Sequence, residues 1–154
     1  VPKVDLSLSA DKGNRLQVSG IKELSKKLSE LGEKLGGRQL RSAVVFSLTP
    51  LVAAAKQRAP VGTKDHTAYN GIDLSAGYLS RHIIKKAFMS KDKTFVSGSV
   101  GPSREAFYGS QFVELGTENM TADPWLEPAY RATKDAVFDR FKAKLKANID
   151  KVSK

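Results

Sequence analysis

Polar and apolar positions alternate early in the chain. Val4, Leu6 and Leu8 share one side, Asp11-Lys12-Gly13-Asn14 has turn composition, and Leu16 and Val18 resume the alternation. A period of two on both sides of a turn predicts a β-hairpin within residues 1–19. The period then lengthens. Ile21, Leu24, Leu28, Leu31 and Leu35 recur at helical spacing, and Gly36-Gly37 is expected to end that helix. A second helix is expected over residues 38–58, with Leu40, Val44, Leu48, Leu51, Val52 and Ala55 inward. Pro50 lies inside this span and should kink or split it, because proline removes one backbone donor.

Residues 61–77 form a long polar connection, and a loop of this length is usually functional or mobile. Residues 78–88 read as a strand in which Ile83-Ile84 and Lys85-Lys86 break strict alternation and hint at a bulge. After a turn at residues 91–93, residues 94–101 form its partner strand, with Val96, Gly98 and Val100 on one side. An amphipathic run, residues 107–115, stops at Gly116-Thr117, where glycine fits a left-handed helix end. A polar loop follows. Asp123 is the expected N-cap and Pro124 the expected first residue of a last long helix, whose start Pro128 blurs between residues 124 and 127.

That last helix places Tyr130, Val137, Phe141, Leu145, Ile149 and Val152 on one face. Arg140, Lys144 and Lys151 flank the face on one side and Lys142 and Lys146 on the other, with Asp135, Asp139 and Asp150 behind. A helix that enters a DNA groove gathers its cations into one stripe, so this one is built to pack. Lys134 falls within the apolar seam and must snorkel or meet a partner.

Composition narrows the chemistry. The 154 residues carry no cysteine, which excludes disulfides and thiolate sites, and their length suits a single domain. No apolar run approaches the roughly 20 residues of a membrane span. The formal charge of +10 points to nucleic acid or an acidic protein surface as a neighbour, or to lysines that simply keep the chain soluble. His66 and His82 stand 16 residues apart with no metal-ligand spacing, no nucleophile elbow is present, and no phosphate-binding glycine pattern is complete. Glu105, Glu114, Glu118, Asp123 and Glu127 surround the loop near residue 120, but nothing in the sequence fixes two of them together for acid–base work. No enzyme and no cofactor are expected. Glu114, near a helix C-terminus, opposes the macrodipole and would be better placed against a cation. The loop, pinned by helix ends and holding the single tryptophan, suits either a docking surface or a core corner.

One block has a family likeness. Phe112-Val113-Glu114-Leu115-Gly116-Thr117, a short polar loop, and then Ala122-Asp123-Pro124-Trp125-Leu126-Glu127-Pro128-Ala129 resemble the signature of the neck or tail-completion proteins of long-tailed double-stranded DNA phages, the gene-product-ten-like minor tail family of lambdoid siphophages. Residues 18–24, 55–61 and 77–83 resemble further stretches of that family. The likeness runs from Val18 to the last helix. The connection at residues 62–76 is longer than usual, the N-terminal hairpin lies outside the motif, and Trp125 and Glu127 replace phenylalanine and arginine.

The resemblance implies an α+β fold, with helices on a small, mainly antiparallel sheet. It implies a structural virion protein forming a homo-oligomeric ring, six-fold, in the neck, assembled in the host cytoplasm. Its partners would be head-completion, tail-terminator or tail-tube proteins, with no membrane. Phe112, Glu114, Gly116, Thr117, Glu118, Asn119, Met120, Pro124, Trp125 and Lys134 are the expected partner-interface residues. Lys85, Lys86, Lys142, Lys144 and Lys146 are the expected DNA-facing ones, making nonspecific contact with the genome in the channel. The competing expectation is a basic nucleic-acid-binding protein that acts without a ring, on the strength of the charge alone.

Overall fold

A computed structural model describes residues 7–10, 16–19, 33–62, 66, 67, 71, 73–91 and 95–152. In chain order these form β1 (Ser7–Ala10), β2 (Leu16–Ser19), α1 (Glu33–Ser47), α2 (Thr49–Arg58), β3 (His66–Thr67), β4 (Asp73–Leu74), α3 (Tyr78–Arg81), β5 (Ile83–Met89), β6 (Val96–Pro102), α4 (Arg104–Leu115) and α5 (Leu126–Val152). A four-stranded sheet has the order β1-β2-β6-β5. Antiparallel pairing joins β1 to β2, with Leu8 opposite Val18, and β2 to β6, with Leu16 opposite Gly98. β5 and β6 are joined by six residues, too few for a parallel crossover, so this pair is antiparallel too. The fold is α+β.

The chain divides into two compact units, each assembled from separate segments. The first comprises Val1–Thr49, Lys85–Ser99 and Asp135–Lys154. In it α1 lies directly on β6. A Cβ built on Gly98 would stand 2.8 Å from Val44 Cγ1 and 2.9 Å from Leu48 Cδ1, so only glycine admits the helix at this distance. Leu40, Val44 and Leu48 of this helix stripe are buried, as are Ala87 and Val96 of the strands and Phe141 and Leu145 of α5. Asn148, also buried, ties α5 to α1 by donating from Nδ2 to the Gln39 carbonyl at 3.0 Å. Arg140 and Lys144 both lie over the Phe46 ring, 4.6 and 5.2 Å from its centre.

The second unit comprises Pro50–Ile84 and Val100–Lys134. Its buried residues include Leu51, Ala55, Ile83, Ala106, Trp125 and Ala129. Within it Ser80 Oγ donates to the Lys56 carbonyl, and the Ser103 N–H donates to the His82 carbonyl at 2.7 Å.

Several expectations need correction. The break expected at Gly36-Gly37, between one helix and a second starting at residue 38, is absent, because α1 (Glu33–Ser47) runs through both glycines. The roughly 1 kcal/mol that each helical glycine costs is outweighed by burial of the apolar stripe that follows. The stripe at Ile21, Leu24, Leu28 and Leu31 lies outside the described residues, as do positions 4–6, 11–14 and 92–94. The expectation for Pro50 holds, because the helix splits at Leu48 and Pro50 falls in the first turn of α2, where no donor is required. The connection at residues 62–76 is not without structure, because β3 and β4 pair within it and Thr67 Oγ1 donates to Asp73 Oδ1 at 2.7 Å. Residues 78–81 are one helical turn instead of strand. The Tyr78 and His82 rings stack four residues apart with centroids at 3.9 Å, a pairing that only helical spacing allows. β5 needs no bulge, since Ile83 and Ala87 are buried on one face and Lys85, between them, places its Nζ 2.8 Å from Thr49 Oγ1.

The seam of α5 also differs. Ala129, Val137, Phe141 and Leu145 are buried, following every fourth residue from Trp125, while Tyr130 is half-buried and Lys134 is exposed. Lys134 therefore lies off the seam and has no need to snorkel. At 3.6 residues per turn a four-residue series rotates around the helix, so a face fixed by its second half misplaces its first.

Candidate functional site

The resembling block folds, within the second unit, into a clasp between two helices. α4 ends at Leu115, where the Gly116 N–H donates to the Phe112 carbonyl at 2.8 Å. Gly116 has φ +74° and ψ 178°. Positive φ is as the sequence leads one to expect, but this ψ takes the residue beyond the left-handed helical region into one that essentially glycine alone occupies. A Cβ there would also meet Ala122 N and the Met120 carbonyl oxygen at 2.8 Å each. The chain then turns tightly. Thr117 N–H donates to the Met120 carbonyl at 2.8 Å, Met120 N–H returns the bond to Thr117 at 3.3 Å, and Glu118 and Asn119 stand at the tip. Asp123 N–H donates to the Val113 carbonyl at 2.8 Å, which brings the chain back against the end of α4.

Glu114 closes the clasp. Its Oε2 accepts the N–H groups of Trp125 at 2.8 Å and Leu126 at 3.0 Å, and its Oε1 accepts that of Glu127 at 3.0 Å. α5 starts at Leu126. Neither Asp123 nor Pro124 holds the capping positions expected of them, because a carboxylate eleven residues upstream of Trp125 has taken over that work. The fourth N-terminal residue, Pro128, has no N–H at all, so every donor that a helix normally leaves orphaned is accounted for. The penalty of a carboxylate at the end of α4 is offset by its place at the positive end of α5. A helix terminus supplies what the sequence suggested a cation might.

Among the expected interface residues, Thr117, Glu118, Asn119, Met120 and Pro124 are exposed on this clasp, and Phe112 is exposed beside them on α4. Glu114 and Gly116 are half-buried and committed to holding the loop. Trp125 is 2% exposed, so it belongs to the interior of its unit and not to a docking face; its Nε1 has no hydrogen-bond partner among the described residues. Lys134 is exposed about two turns along α5. At the start of α4, Ser103 Oγ donates to Glu105 Oε2 at 2.7 Å, and this bond, with the backbone N–H of Glu105, holds that carboxyl below the ordinary glutamate range.

The expected DNA-facing lysines do not form one uncommitted stripe. Lys85 bonds to Thr49, Lys142 pairs with Asp139 at 2.8 Å and lies over Phe138, and Lys144 lies over Phe46. Lys86 and Lys146 are exposed. Among the described residues no group of three or more His, Asp or Glu could hold a metal ion, and no helix is long and apolar enough to cross a membrane. His82 directs Nδ1 to the Tyr78 carbonyl at 2.7 Å. The geometry of the clasp presents a turn closed by backbone hydrogen bonds and held at both ends by helices. Comparison with protein-family models, with curated proteins and with solved structures gives no match.

Sequence reasoning missed two of the residues that hold these units, Glu114 as a helix cap and Asn148 as a buried tie. Only the second left a signal in the sequence. Asn148 interrupts an apolar series, whereas Glu114 stands eleven residues before a helix start to which Asp123 and Pro124 offered local caps.

Proposed function

We propose that this protein is a structural connector of a tailed double-stranded DNA phage, assembling with copies of itself and with other neck and tail proteins where head joins tail. The observation that carries the proposal is that the residues resembling the neck-protein signature coincide with the clasp. Glu114, Gly116, Trp125 and Pro128 each have a task in it that another residue type would perform poorly, and the product is an exposed turn at residues 117–120. Such a clasp suits presentation to a partner, since a loop pinned between two helices limits the entropy lost on docking. Native mass spectrometry and negative-stain images of the purified protein, alone and mixed with tail tubes, test this. Ring-shaped oligomers that cap tubes are expected, and a monomer indifferent to tubes would overturn it.

The charge of +10 favours a second reading, a nucleic-acid-binding protein that needs no ring. It requires the isolated monomer to bind short duplexes with an affinity that falls steeply with salt. The mixture of acids and committed lysines along α5 speaks against it.

A further inference from the structure

The β5–β6 hairpin leaves two aromatic rings outside the core of the first unit. The Ser90 N–H donates to the Phe95 carbonyl at 3.0 Å and Ser90 Oγ accepts the Phe95 N–H, so these residues face each other across the hairpin. Ala87 and Val96 are buried, and strand alternation puts their neighbours Lys86, Phe88 and Phe95 on the opposite face of the sheet. Phe88 is 58% and Phe95 53% exposed. Lys86 and Lys91 are exposed at their margin. The stretch of hairpin within this unit, residues 85–99, holds four lysines against the single acid Asp92.

Ring area, ring spacing and charge together select the ligand. A phenylalanine presents roughly 150–250 Å² in full, so these two half-exposed rings offer on the order of 200 Å². A stable protein partner covers about 800 Å² on each side, far more than this patch supplies. Planar groups that stack one to a ring and carry negative charge between them need no larger area. Phe88 stands two residues before Ser90 and is therefore diagonal to Phe95, about 7 Å away. Bases in a duplex repeat every 3.4 Å or about that, and their faces are closed by their neighbours. One base to each ring thus requires an unpaired strand whose bases have come apart.

We infer that the outer face of the β5–β6 hairpin binds single-stranded nucleic acid, with bases stacked on Phe88 and Phe95 and phosphates drawn to Lys86 and Lys91. Duplex DNA would meet the lysines and leave both rings uncovered. Binding is independent of sequence, since every base has an aromatic face. The platform requires neither functional reading: the connector is expected to meet a double-stranded genome, and the second reading needs affinity for duplexes. Rings that cap tail tubes but have no affinity for a single strand would overturn this inference and leave the connector reading standing.

The experiment is fluorescence anisotropy of a labelled oligothymidylate, and of a labelled duplex of equal length, each titrated with the full-length chain. The single strand should bind more tightly than the duplex. Phe88→Leu with Phe95→Leu keeps apolar bulk but removes the ring faces. It should weaken single-strand binding by about thirtyfold or more, the loss expected for two stacked bases, and leave duplex binding unchanged. Lys86→Gln should lower the salt slope of single-strand binding by about 0.7, the share of one phosphate. All three positions are exposed, and unchanged melting curves verify that each variant folds. No binding of the single strand at low salt, equal affinity in the leucine variant, or a native chain that binds duplex as tightly as single strand would each overturn the proposal.

Discussion

Gly116 is the residue on which the clasp turns. Its φ of +74° with extended ψ is closed to other residues, and a methyl group would contact two backbone atoms that cannot rotate away. Gly116→Ala is therefore expected to destabilise the chain by about 2–3 kcal/mol, toward the upper end for a strained backbone, as read from urea unfolding. A cost below about 0.5 kcal/mol would show that the loop relaxes freely. Glu114 can be tested by charge and by shape. Glu114→Ala removes a cap serving three N–H groups and should cost roughly 2–3 kcal/mol, whereas Glu114→Gln keeps one acceptor oxygen and should cost about half of that. Equal losses in the two variants would contradict a capping role. Glu105 provides a pH prediction. Its carboxyl is depressed in the folded chain chiefly by the Ser103 hydroxyl, so the ionised form contributes stability above the ordinary glutamate value, and this is lost as pH falls through the depressed one. Ser103→Ala should move the Glu105 titration, followed by carboxyl chemical shifts, back up toward the ordinary range.

At the scale of elements, legibility followed the locality of cause. The hairpin of β1 and β2 could be read because alternation and turn residues lie within fifteen positions of one another, and the division at Pro50 because proline acts on its own helix. The start of α5 could not be read, since its cap comes from Glu114 on the preceding helix and no local rule reports a carboxylate eleven residues away. The turn at Tyr78–Arg81 was too short to show a period, and a Tyr-His stack, not a pattern, marks it. Lys134 was misplaced because the buried series on α5 rotates along the helix. The Gly98 contact, in contrast, was half visible: the glycine sits on the buried face of a strand, which asks for a close neighbour. Gly98→Ala should push Val44 and Leu48 aside and cost about 1–3 kcal/mol, as overpacking does. Pairing it with Leu48→Ala should recover part of that loss, and purely additive costs would mean that the two sites do not meet.

For the whole molecule, the connector proposal rests on the clasp, whose turn at residues 117–120 is exposed and held between two helices. Trp125 anchors this from inside, Glu114 caps the start of α5, and residues 117–120 are exposed. The turn can thus be altered with little effect on stability. For the connector proposal the most direct measurement is the yield of joined particles when phage heads and tails that lack their own connector are mixed with purified protein altered at the tip, Glu118→Ala with Met120→Glu. The account predicts an unchanged melting temperature and at least about a tenfold fall in joining, as expected of interface residues that contribute nothing to the fold. Full joining by this variant would contradict it.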